Sequence, residues 1–292
     1  MIGPVLLIGA AGYALGRARV VEAQPLTALS VAVLAPAISF YAVTTGIGDH
    51  SVLVRMTVYL VLQLVLIAAI TVTVAAAFGW DRTRRTGLIL ATLFSNAGNA
   101  GLPLALFAWG ASGLATALAF FAVQAVIVNM LAAYLAAQAD SGARRALRTL
   151  ARLPVTYAVA VGLALDVLGI IPPAPIAKAA ELLANGAVAV MLLLIGVQLA
   201  QVRPHGEWPA ITAATVIRLG AAPVLAWMTA PWVGLEGVAR QTCILQSSLP
   251  TAVTAAIWAS EFGVAPALVS GAVIVTTLAS PLPVAILLTL LR

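Results

Sequence analysis

The sequence predicts an all-α integral membrane protein, and three observations carry that expectation. Of 292 residues, 63% are hydrophobic and only 8% charged, too little charge for a water-soluble domain of this size. The apolar residues fall in runs of about 20, the length with which a helix crosses the hydrocarbon core. Two of these runs are interrupted near their middle by glycine, proline and polar residues.

Taken in order, ten spans are expected near residues 2–16, 26–45, 53–78, 86–110, 113–138, 154–168, 176–200, 208–230, 240–262 and 266–290. The first is apolar but is followed, not preceded, by Arg17 and Arg19, the reverse of a cleaved signal peptide, so it reads as a span. The net charge of +6 sits in the loops between apolar runs, which excludes a nucleic-acid surface and supplies an orientation signal instead. With the N-terminus outside, the inward loops hold Arg17, Arg19, Arg82, Arg84, Arg85, Arg144, Arg145, Arg148, Arg152 and Arg203. The outward side holds only Arg55, Lys178, Arg240 and Arg292. This asymmetry predicts a multi-pass cell-membrane protein with both termini outside.

The longest polar loop, Ala139 to Leu153, divides the chain into five spans before it and five after. An odd number per half gives the halves opposite orientation, the topology of an inverted repeat. The expected organisation is a first five-helix repeat at 1–138, a cytoplasmic linker at 139–153 and a second repeat at 154–292.

The first interruption lies in the stretch Ser95 to Gly110, reading SNAGNAGLPLALFAWG. Broken helix at membrane depth is tolerated only where it is buried in protein or lines a cavity. The fourth span therefore reads as two half-helices, the second beginning at about Pro103. Its amides would present partial positive charge to the break, where Asn96 and Asn99 add neutral donors and acceptors beside Gly98 and Gly101. That is an anion site without a formal charge.

The second interruption is Gln246 to Thr251, QSSLPT, in the ninth span. Pro250 follows Pro103 by 147 positions, and Leu249 then matches Leu102. Gln246, Ser247, Ser248 and Thr251 can contact an anion there or cap the half-helix after Pro250. Asn96 and Asn99 can likewise bind a ligand or satisfy backbone groups freed by the break. Arg218 falls mid-span, where a charge costs about 2.5 to 3.5 kcal/mol. It either fixes the fold through carbonyl contacts or supplies positive potential for an anion.

Enzymatic chemistry finds no footing, since HExxH, aspartate-rich and GxSxG motifs are missing. His50 and His205 fall in loops on opposite sides and cannot share a metal. No cofactor or metal is expected, and the single Cys243 forms no intrachain disulfide.

At Asn96 and Gly101-Leu102-Pro103 the chain resembles the auxin efflux carrier family, which includes the plant PIN carriers and compact bacterial carriers of small carboxylates. The resemblance extends through Leu249-Pro250, Ala259-Ser260-Glu261-Phe262, Val264, Pro266, Ser270, Val273-Ile274 and Pro36-Ala37-Ile38-Ser39-Phe40. It implies two inverted five-helix repeats whose fourth and ninth spans cross at their breaks. It further implies a transport domain of spans 3–5 and 8–10, a scaffold of spans 1, 2, 6 and 7, and a homodimer formed through the scaffold.

The implied activity is secondary transport of small organic anions such as malonate, malate or auxin-like acids, by elevator-like alternating access. Pro103 and Pro250 border the implied site. Ser39, in the span that would face the crossing, can touch substrate or bond its own helix carbonyl. Two alternatives stand beside this: a sodium- or proton-coupled carrier resembling bile-acid or sodium/proton carriers, and a membrane-embedded carboxylate sensor that does not transport. The chain lacks the long cytoplasmic loop of the plant carriers, so their regulation is not implied.

Overall fold

Apolar side chains in uninterrupted runs leave the backbone no partner but itself, and helix follows. The computed structural model describes residues 3–46, 50–138, 154–201 and 207–291. The linker Ala139 to Leu153, and Arg203, His205 and Arg292, lie outside the described residues.

The helices are α1 (Gly3–Arg17), α2 (Ala23–Leu29), α3 (Ala35–Gly46), α4 (His50–Ala77), α5 (Arg82–Leu93), α6 (Leu102–Gln138) and α7 (Pro154–Val167). There follow α8 (Ala174–Gln201), α9 (Trp208–Val216), α10 (Ala222–Thr229), α11 (Gly237–Ser247), α12 (Val253–Glu261), α13 (Pro266–Ala279) and α14 (Pro281–Leu290). Among the described residues, five stretches are long and apolar enough to cross a membrane: Ala23–Thr45, Ser51–Ala77, Ala97–Ile127, Ala174–Ala200 and Trp208–Val233. The pair α13 and α14 qualifies together but bends by 54°, and α7 is apolar but shorter. Among the described residues there is no β-strand beyond one isolated bridge.

Three helical runs carry a wide π-type turn, Ser30–Leu34, Ala97–Gly101 and Ile217–Ala221. Each ends two residues before a proline: Pro36, Pro103 and Pro223. A proline ring crowds the carbonyl four residues back and donates nothing to it. A wider turn removes that clash without ending the helix.

Inside α6 the chain turns at Trp109 and Gly110, where Gly110 has φ 63° and ψ −148°, a region open essentially to glycine alone. Space around the position is open to a Cβ, so the cost of Gly110→Ala is backbone strain only. Gly110→Ala is expected to destabilise the protein by about 1 to 3 kcal/mol, read as a lower melting temperature in detergent.

By internal contacts the described chain forms two compact units, residues 1–53 with 98–201 and residues 54–97 with 202–292. In the first, α1 lies against α8 so closely that Gly12, Gly16 and Gly196 have no room for a side chain. Small residues are what let membrane helices approach to this distance. Nearby, α3 packs on α6, α7 and α8, with Val43, Ala122, Val155 and Val159 forming a buried cluster. The Gln198 amide donates to the Thr27 hydroxyl at 3.2 Å.

In the second unit, α13 packs against α5, α9 and α12. Polar side chains tie α4 to its neighbours: the Tyr59 hydroxyl donates to the Cys243 carbonyl at 3.3 Å, the Gln63 amide to the Thr229 hydroxyl, and the Thr71 and Thr92 hydroxyls bond at 2.8 Å. The α5 start is capped by Asp81, which accepts from the Arg84 amide at 2.8 Å. Arg84 also pairs with Glu207 at 3.2 Å, an exposed contact worth at most about 1 kcal/mol.

Candidate functional site

Both predicted breaks are present. α5 stops at Leu93, Phe94 to Asn96 are non-helical, and the wide turn Ala97–Gly101 leads into α6. α11 stops at Ser247 and α12 starts at Val253. The two non-helical segments meet in the second unit as an antiparallel bridge, Ser95 with Thr251. The Asn96 amide donates to the Pro250 carbonyl and the Ala252 amide to the Phe94 carbonyl, both at 2.8 Å. Backbone groups that lost helical partners thus find each other, as a water-free interior requires.

Buried side chains secure this joint. The Thr251 hydroxyl donates to the Ala91 carbonyl at 2.8 Å, and its amide donates to the Thr276 hydroxyl at 3.0 Å. Phe94 meets Trp258 edge to face, ring centroids 6.0 Å apart. Thr251→Val keeps the shape but leaves the Ala91 carbonyl's side-chain partner missing. It is expected to cost about 1 to 3 kcal/mol, seen as a lower melting temperature, whereas a serine at the same position should retain most of the stability.

Arg218, 1% exposed, reaches the ends of both helices that stop at the breaks. Its Nη1 donates to the Thr92 carbonyl at 3.1 Å, its Nη2 to the Ser247 carbonyl at 2.9 Å, and its Nε to the Leu249 carbonyl at 3.2 Å. Nη2 also donates to Leu249. Hydrogen bonds from a charged donor are worth about 1.5 to 3 kcal/mol each, so two of these already offset the insertion cost of the charge. Of the two roles open to Arg218 in the sequence, carbonyl contacts are the one the geometry displays.

Gln246 is fully buried with neither end of its amide hydrogen-bonded, and Asn96 Nδ2 and Thr242 Oγ1 are likewise buried without a partner among the described residues. Thr242 and Gln246 stand one helical turn apart on α11 and share a face. Ser248 bonds back to the Ile244 carbonyl at 2.7 Å, and α12 has no side-chain cap. Capping, one of the two roles left open for Ser247, Ser248 and Thr251, is therefore not what they do. No side chain neutralises the partial positive charge at the α12 start, although the Ala255 amide already donates to the Ala252 carbonyl at 3.1 Å.

The remaining sequence candidates belong to the first unit. The helix resumes at Ala97, not at Pro103, because the wide turn absorbs the proline. Gly98, Asn99, Gly101 and Pro103 consequently lie within the helical start, Asn99 half-buried and the others buried. A Cβ on Gly98 would stand 2.8 Å from the Phe121 ring, which accounts for glycine there by packing. Ser39 is fully buried on α3 and its hydroxyl makes no bond to its own helix.

Thr92, Thr242 and Thr276 escaped the sequence reading. Threonine in an apolar helix usually bonds its own turn, as Thr92 does to Leu88 at 2.9 Å. Only the spacing of Thr242 to Gln246 could have pointed to one of them.

The family model described as "Membrane transport protein" matches residues 2–288. A protein of Rhizobium meliloti (strain 1021) named "Putative malonate transporter" is 31% identical over 208 residues, 68% of this chain. The match spans 65% of that relative's own length. Both descriptions are those of transporters, not enzymes.

Proposed function

This chain belongs to the membrane transport protein family, and from that membership we propose that it is a secondary carrier of small organic anions, dicarboxylates such as malonate first among them. Support for the substrate class comes from the 31% identical relative whose name assigns it to malonate. The observation that carries the site is the pairing of the two breaks next to buried, unpartnered amides. Asn96 Nδ2 and Gln246 have no hydrogen-bond partner among the described residues, while the uncapped start of α12 adds partial positive charge.

In this reading the carboxylate is held by the α12 amides, Asn96 and Gln246, with Ser247, Ser248 and Thr251 shaping the second break. Gly98, Asn99, Gly101, Pro103 and Ser39 are the further candidates for substrate contact, each to be tested by substitution. Arg218 acts at long range by holding Ser247 and Leu249 in place.

The same reading takes the chain as ten spans in two inverted five-helix repeats, both termini outside, forming a homodimer through spans 1, 2, 6 and 7. Spans 3–5 and 8–10 constitute the moving domain, and alternating access carries the anion across. The experiment is transport by purified protein in liposomes, with dicarboxylates, monocarboxylates and aromatic acids offered with and without sodium. Currents are recorded alongside isotope uptake. Saturable uptake of one acid class supports the carrier, and binding in detergent without any uptake by folded protein overturns it in favour of a sensor.

A further inference from the structure

Where α5 and α11 stop, their last carbonyls lose helical donors and carry the negative end of each helix dipole. Two such oxygens, of Thr92 and Ser247, converge with the Leu249 carbonyl from the break itself on one point, and that point is occupied by the Arg218 guanidinium. No carboxylate pairs with Arg218 among the described residues. Its charge is therefore balanced by carbonyl dipoles alone, the arrangement by which carriers hold a small cation at the ends of broken helices.

We propose that the Thr92, Ser247 and Leu249 carbonyls form a monovalent-cation site that Arg218 fills with its own side chain. The cation is then a covalent part of the chain and cannot be taken up or released from this position. For coupling, which rests on the carrier reading above, no ion exchanges here during a transport cycle. Arg218 is in this sense a positioning residue: it neutralises two helix ends and fixes the Leu249 to Thr251 segment against Ser95.

The test is chemical replacement of the side chain, followed by melting in detergent so that no transport is needed. Wild-type protein should melt at the same temperature in sodium, potassium or choline chloride and ignore low-millimolar guanidinium. Arg218→Ala should melt several degrees lower and regain half or more of that loss when guanidinium is supplied, with sodium giving a smaller gain and choline none. A folded Arg218→Ala that no small cation stabilises overturns the proposal. So does a wild-type protein whose melting rises with sodium in step with the variant's.

If Arg218→Ala cannot be recovered folded even with guanidinium present, Arg218→Lys decides. A folded lysine variant, less stable than wild type but indifferent to added cations, supports a site filled by charge. Loss of fold in that variant too, or its stabilisation by guanidinium, overturns it. Absence of uptake in liposomes would defeat the carrier reading alone, leaving this assignment to the melting data.

Discussion

Asn96→Ala is expected to fold and melt like the unchanged protein while losing about 10- to 150-fold in anion affinity or uptake. The main-chain amide of Asn96 makes the bond to Pro250, and alanine keeps that amide. What alanine removes is the carboxamide, whose Nδ2 is buried and without a partner among the described residues, so no existing bond to that nitrogen is broken. A hydrogen bond from such a donor to a carboxylate is worth about 1.5 to 3 kcal/mol, and 1.4 kcal/mol is tenfold. Paired measurements of uptake and melting check both halves. Normal uptake by a well-folded variant would remove Asn96 from the site.

Gly196→Val should have the largest effect on stability. A Cβ on Gly196 collides with the Gly9 carbonyl oxygen and the Tyr13 amide nitrogen, both backbone atoms of α1. Backbone cannot rotate aside as a side chain can, so α1 and α8 must separate, and their tight apolar contact is lost along its length. Overpacking of this kind costs about 3 kcal/mol. Gly186 on the same helix is the control, because nothing lies within 4 Å of a Cβ there. Gly186→Ala should be neutral or slightly stabilising through helix propensity. Similar melting temperatures for the two variants would refute the close-packing account.

The helical class and the place of both breaks were legible because helix breakers inside an apolar run have few other meanings. Which residues pair across the breaks was not. The prolines are 147 positions apart, yet the residues that pair at the crossing, Ser95 and Thr251, are separated by 156. Pro103 is absorbed into a helix by the wide turn before it, whereas Pro250 stays in non-helical chain. That difference depends on neighbouring backbone and leaves no mark on a Leu-Pro pair read in isolation.

The partners of Arg218 were illegible for a related reason. They are carbonyl oxygens, which every residue carries, so the sequence marks the charge without marking what receives it. For Thr251 the sequence left anion contact and capping of the next helix open, and its hydroxyl does not cap because α5 passes close enough for Ala91 to take it.

The joint between the breaks is made amide to carbonyl, with Phe94, Asn96, Pro250 and Ala252 contributing only main-chain atoms to it. Selection acting on side chains has little hold on these two main-chain bonds. Nearly any residue able to adopt the same backbone preserves them, so Asn96 and Pro250 can change without breaking them, while Thr251 stays tied to Ala91 through its hydroxyl. Homologous carriers could then vary these positions to suit new cargo while inheriting the same crossing, a separation of architecture from chemistry that leaves substrate preference free to evolve.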